Sequence, residues 1–222
     1  MFQPKLDVLP PAQRALWPRL ADLPKHFVLY GGTAVALRCG HRISEDFDFF
    51  SAQAFTPEAL FAQLPWLSSP EPKVLQRQNN TLTVQIPQDL GPVKVSFFGD
   101  IGFGQIKPPD ISTDNRLKIA SPEDLLALKL GVIHQRLEAK DYLDIHALLK
   151  SGLSLAAGLS YLDVLHPLAT NWTIALKTLV YFKGGDLDRL PEYVKRDLEE
   201  AVRDVREVPG YSAIREPIGT GT

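Results

Sequence analysis

A single cysteine, Cys39, leaves the 222-residue sequence without any intrachain disulfide, which suits a reducing cytoplasm. Long hydrophobic runs are missing as well: nothing approaches the ~20 consecutive apolar residues of a spanning helix. Residues 1–7 carry no basic segment followed by an apolar stretch, so no signal peptide is expected. There is no excess of positive charge. Lys and Arg number 24 against 26 Asp and Glu, for a net charge of −2 and a pI near 6.2. A global basic field for nucleic acid is thereby excluded, and an RNA partner would need a local patch. The five histidines (His26, His41, His134, His146 and His166) show no zinc-ligand spacing. Gly-x-Ser-x-Gly, the Walker lysine loop and Cys-x-x-Cys are all absent, which disfavours hydrolase, P-loop and redox chemistry. These absences describe a cytoplasmic protein with no membrane partner.

The chain, at 24.7 kDa with 45% apolar and 23% charged residues, can build one large domain or two small lobes. Residues 11–20 predict a short helix with Leu16, Trp17 and Leu20 inward. Strand, turn and helix follow over 27–39, with Cys39 as a small buried residue, and a further strand over 46–50. Thr56-Pro57-Glu58 opens a helix by a Thr cap and first-turn Pro, running to about Leu64. Alternating β-rich pieces cover Lys73–Gln78, Thr81–Ile86 and Val93–Phe98, with Asn79-Asn80 as a hairpin turn. The glycine-rich stretch 99–104 fits a plain connection better than a phosphate loop. A short strand near Leu117–Ala120 closes this part. Ser121-Pro122-Glu123-Asp124 is a helix start, and helical periodicity then continues through 154–165, 172–182 and 191–206. The expected domains are an α/β core over 1–120, a helical lobe over 121–207 and a loosely held tail over 208–222.

The most informative segment runs from Phe27 to Phe50. An apolar run ends in Gly31-Gly32 and opens into Thr33-Ala34-Val35-Ala36-Leu37. Glycine belongs where backbone turns sharply or lies close to a ligand, and a helix start there offers N–H groups and a positive dipole end to an anion. In Asp46-Phe47-Asp48-Phe49 the period of a strand sets both acids on one face and both aromatics on the other. Adjacent carboxylates repel unless a cation lies between them. Oxygen ligands suit Mg²⁺, with Mn²⁺ as an alternative, bridging to substrate phosphates. Taken alone, the Asp-Phe pairs also fit an edge strand with solvated acids, and Gly-Gly fits any strand-to-helix turn.

The order Gly31-Gly32, Arg42-x-Ser44-x-Asp46-x-Asp48 resembles the signature of the AbiEii/AbiGii-type toxin nucleotidyltransferases. Asp124-Leu125-x-x-x-Lys129, Arg136 and Lys140-Asp141-x-x-Asp144 resemble the family's C-terminal block, so the likeness spans roughly residues 27–150. The resemblance implies a nucleotidyltransferase-like mixed sheet flanked by helices, followed by a helical C-terminal lobe, with a cleft between the two parts. It implies transfer of a nucleotide from an NTP to an acceptor such as tRNA or another RNA, and a cognate antitoxin. Asp46 and Asp48 become the metal ligands, and Gly31, Gly32 and Thr33 a cradle for phosphates. Arg42 and Ser44 contact the same phosphates or brace the strand. Lys129 and Lys140 reach the triphosphate, and Asp141 acts as base or metal ligand. The family's third acid falls at Ser96, a poor metal ligand. Asp141, or less favourably Asp100, would have to replace it. Otherwise the chain is a catalytically impaired nucleotide-binding or protein-interaction module.

Overall fold

The computed structural model describes residues 1–165, 171–210 and 216–219. His166 and residues 211–215 and 220–222 of the expected tail lie outside the described residues. The chain divides into two compact units, one comprising Met1–Gly104, Pro108–Ala120 and Glu216–Thr222, the other Gln105–Lys107 and Ser121–Arg215.

The first unit is a mixed seven-stranded sheet with helices, an α/β fold. Its strands are β1 (Val28–Tyr30), β2 (Asp46–Phe50), β3 (Lys73–Gln78), β4 (Thr81–Ile86), β5 (Val93–Phe98), β6 (Asp110–Ile111) and β7 (Lys118–Ile119), in the order β3-β4-β5-β2-β1-β7-β6. β2 runs parallel to β5 and β1 parallel to β7; the remaining pairs are antiparallel. β2 therefore lies at the centre, and the edge-strand reading of its acids does not apply. Helix α1 (Pro11–Leu16) leads into a 3-10 turn, and Leu16, Trp17 and Leu20 are buried as the pattern predicts. Helix α2 (Gly31–Cys39) leaves directly from the end of β1. Thr56 caps α3 (Pro57–Gln63) by accepting the Ala59 N–H, and α4 (Pro65–Ser68) follows.

Alternation builds the core of this unit. Phe47 and Phe49 of β2, Val95 and Phe97 of β5, and Leu82 and Val84 of β4 are each 0% exposed. Phe49 stacks on Phe97 at 5.4 Å, and Trp17 meets Phe47 at 6.2 Å. Burying each such aromatic contributes about 1.5–3 kcal/mol. The Arg38 guanidinium binds the Ala120 and Ile119 carbonyls and Asp110 while lying over the Phe2 ring, so it holds β6 and β7 to α2.

One expectation is corrected. Cys39, the last residue of α2, is half-buried rather than buried. The tail expected to be loosely held includes Ile218, which is 3% exposed, and Gly219, whose carbonyl accepts Lys118 Nζ at 2.7 Å. A chain of Pro, Gly and Thr carries little hydrophobic signal, so one buried isoleucine escapes the pattern.

The second unit consists of α5 (Pro122–Val132), α6 (Ala139–Lys150), α7 (Leu155–Leu165), α8 (Trp172–Leu179) and α9 (Glu192–Asp204). α8 and α9 are shorter than the sequence predicts. Ser121 caps α5 as expected by accepting the Asp124 N–H, while the Asp124 carboxylate accepts the Ser121 hydroxyl and the Ile106 N–H; burial pushes that carboxyl above its ordinary value. Among the described residues no single helix is long and apolar enough to cross a membrane.

On α9, Asp197 binds His146 Nε2 at 2.9 Å and Lys150 Nζ at 2.8 Å, both from α6. The hydrogen bond from His146, then that from Lys150, lowers its carboxyl from 3.8 to about 2. A depressed carboxylate stabilises the fold above the unfolded value and loses that contribution as pH falls through the folded one. Denaturant unfolding between pH 4 and 2 should therefore show stability falling with pH, and Asp197→Asn should flatten that slope.

Candidate active site

Asp46 and Asp48 sit on one face of β2, both half-buried, while Phe47 and Phe49 face the core. The antiparallel pairing of β1 with β2 sets Tyr30 opposite Asp48. The next residue, Gly31, then turns the chain into α2 at φ 73°. A Cβ built on Gly31 would lie 2.8 Å from Asp48 Oδ2, so any side chain there would collide with the carboxylate. Glycine thus answers two needs at once, left-handed backbone and close approach. No side-chain cap closes the start of α2, where the first N–H groups and the positive end of the dipole lie.

Thr33 and Ser44 join this helix start to the beginning of β2. The Thr33 hydroxyl donates to the Asp46 carbonyl and lies 2.7 Å from Ser44 Oγ. Thr33 has one hydroxyl proton, so Ser44 is the donor in that second bond. Both residues are buried, at 2% and 7% exposure. Of the two expectations for Ser44, strand bracing is what its contacts display. Thr33 makes the same contact from the side of the helix, its hydroxyl lying between α2 and β2. Arg42 is half-buried in the intervening loop, its guanidinium donating to the Ile43 carbonyl at 3.0 Å.

β5 completes the face. Its parallel register sets Lys94 opposite Asp46 and Ser96 opposite Asp48. Lys94 Nζ lies 3.3 Å from Asp46 Oδ2. Ser96 is 2% exposed and occupies the position expected of a third acid. Asp100 is exposed in the following loop, at φ 56°. Among the described residues no three His, Cys, Asp or Glu side chains gather as a metal site. Asp46 and Asp48, with the Gly31 cradle beside them, fit one hard divalent cation that takes its other ligands from water and phosphate. Lys94 was in plain view in the sequence. Its relevance depends on the strand register, which a sequence does not state.

The remaining expected residues lie in the second unit. Lys129 is 6% exposed, and its Nζ is 2.6 Å from both Asp141 Oδ1 and Asp144 Oδ2. Asp141 also takes Arg136 Nε at 2.9 Å, and Asp141 and Asp144 are each 0% exposed. An ammonium among leucines is costly unless paired, and here paired acids from α6 meet it. Both oxygens of Asp141 are occupied by cations, an arrangement unlike that of a base or metal ligand. Lys140 is exposed and pairs with Glu138 at 2.8 Å.

The family description "Nucleotidyl transferase AbiEii toxin, Type IV TA system" matches residues 14–204. The chain belongs to this AbiEii toxin family. It is similar to an uncharacterized protein of Aquifex aeolicus (strain VF5), 32% identical over 184 residues, covering 82% of this chain and 83% of that one. Among solved structures, its fold resembles MenT4, a nucleotidyltransferase toxin of Mycobacterium tuberculosis H37Rv, at 15% identity and a TM-score of 0.50, covering 87% of this chain and 92% of that one. It also resembles a proposed nucleotidyltransferase from H. pylori at 19% identity and a TM-score of 0.50, covering 85% and 94%. The fold of these solved structures agrees with the mixed sheet described above.

Gly31→Ala tests the cradle. The added methyl must move Asp48 or the helix start, at a backbone cost of about 1–2 kcal/mol for the left-handed conformation. The variant should unfold at lower denaturant and bind Mn²⁺ more weakly by calorimetry; unchanged affinity would show that Gly31 does not shape the acid pair.

Proposed function

We propose that this AbiEii-family protein is a cytoplasmic, Mg²⁺-dependent nucleotidyltransferase that moves a nucleotide from an NTP to an acceptor, with tRNA or another RNA as the acceptor class. The observation that carries this reading is the half-buried acid pair of a central strand, set against a glycine helix start. Asp46 and Asp48 hold the ion. When bound, a divalent cation there supplies the positive charge that gathers triphosphate oxygens and offsets charge developing at the α-phosphorus. Mn²⁺ satisfies the same oxygen donors.

The chain's own residues orient and fix. N–H groups of Gly31 and Gly32 present donors to phosphate without any side chain intervening. Thr33 and Ser44 lock the helix start to the strand, so donors and acids keep one spacing. Arg42 carries positive charge in the loop between α2 and β2 and is assigned to phosphate binding. Lys129 and Asp141, together with Asp144 and Arg136, are assigned to the integrity of the helical unit, because each charge is already met within the cluster. Lys140 is assigned to its surface pair with Glu138. A cognate antitoxin follows from the family.

One observation favours a second reading. Ser96 stands where a third acid would assist, and Lys94 engages Asp46. The alternative is a module that binds NTP without transferring it. Incubation with labelled NTPs, Mg²⁺ and total RNA separates the two. The wild-type protein should label RNA, and Asp48→Ala should lower that labelling by at least about a hundredfold. NTP binding by the wild type without any label transfer would overturn the transferase reading and favour the module.

A further inference from the structure

On the proposed reading Asp46 and Asp48 hold a divalent ion, and the strand beside them carries a cation of its own. Opposed residues of paired strands share a face, so Lys94, Ser96, Asp46 and Asp48 form one patch of the sheet. The Lys94 and Asp46 side chains are 40% and 46% exposed, within reach of water, ions and a ligand. Ser96, beside Asp48, contributes a neutral hydroxyl. The patch therefore sets two carboxylates against one ammonium. A second divalent ion would turn it strongly positive, and among the described residues no third carboxylate joins the pair to hold that ion.

We propose that the Lys94 ammonium stands in for a second metal ion: the site binds one divalent cation, and Lys94 supplies the other positive charge, presented to the phosphates of a nucleoside triphosphate. A lysine ammonium is a point charge with three donors on a flexible stem. Its bond to Asp46, at 3.3 Å and half exposed, is a weak one. Exchanging that carboxylate for a phosphate oxygen costs little. In the absence of nucleotide the same contact keeps Asp46 aligned on the face it shares with Asp48. The inference concerns the number of ions, so it depends on the acid pair holding any ion at all.

Mn²⁺ titration followed by electron paramagnetic resonance counts bound ions without reference to activity. The full chain is compared with Lys94→Met, Lys94→Arg, the double variant Lys94→Met/Ser96→Asp, and Asp48→Ala as the blank. The wild type should bind one Mn²⁺ above the blank, with the spectrum of an isolated ion. Lys94→Met should tighten that binding by roughly tenfold, the order expected when a unit charge near a divalent ion is removed. Lys94→Arg keeps the charge and should match the wild type. The double variant should bind two ions with a spin-coupled spectrum. Two ions in the wild type, an unaltered affinity in Lys94→Met, or a double variant that stops at one ion would each overturn the Lys94 proposal while the transferase reading stands. No Mn²⁺ above the blank in the wild type would overturn both.

Discussion

The pairing of β1 with β2 is the constraint on which the site depends. It sets Tyr30 opposite Asp48, so the residue after Tyr30 must turn against the Asp48 carboxylate. Only a residue without a side chain fits there, and only glycine takes its left-handed backbone without strain. A helix then begins beside an acid, at the end where its dipole favours negative charge. Everything else at the site adjusts to this corner: the Thr33–Ser44 tie fixes the distance from helix to strand, and β5 adds Lys94 and Ser96 by parallel register.

The two units solve the problem of charge differently. In the first, Asp46 and Asp48 remain partly solvated on a sheet whose other face is packed with phenylalanine. Partly solvated carboxylates of this kind can trade water for an ion. In the second, Lys129, Asp141 and Asp144 are withdrawn from water, and Lys129 together with Arg136 offsets the two carboxylates. Removing one member of such a buried group leaves an uncompensated charge, typically at a cost of about 3–5 kcal/mol. Charge that is buried and matched holds a fold together; charge that is half-buried and in reach of water is suited to binding.

Much of this was legible in the sequence, for identifiable reasons. The Asp-Phe-Asp-Phe alternation and the glycine pair specify face and corner through backbone periodicity alone, and β2 spans Asp46–Phe50 as the pattern states. The β3–β4 hairpin, with Asn80 at φ 61°, and the Ser121 cap follow from local turn and cap chemistry. Contacts between segments distant in sequence were not legible. β6 has two residues and no alternation to detect. The tie made by Thr33 is one of these contacts, because its hydroxyl meets the backbone of a strand thirteen residues later. Lys129 was expected at a triphosphate, and its partners on α6 depend on how two helices pack. Lys94 gains meaning only through the parallel register of β5 with β2.

The central claim is that Asp46 and Asp48 jointly bind a divalent cation in front of the Gly31 corner. Anomalous diffraction at the manganese edge, from crystals grown with Mn²⁺ and a non-hydrolysable nucleoside triphosphate, addresses it directly. The account predicts a peak bridged by both carboxylates, with triphosphate oxygens completing its coordination near the Gly31 and Gly32 N–H groups. Nucleotide bound elsewhere, or Asp46 and Asp48 left without a metal peak while nucleotide is in place, would contradict it.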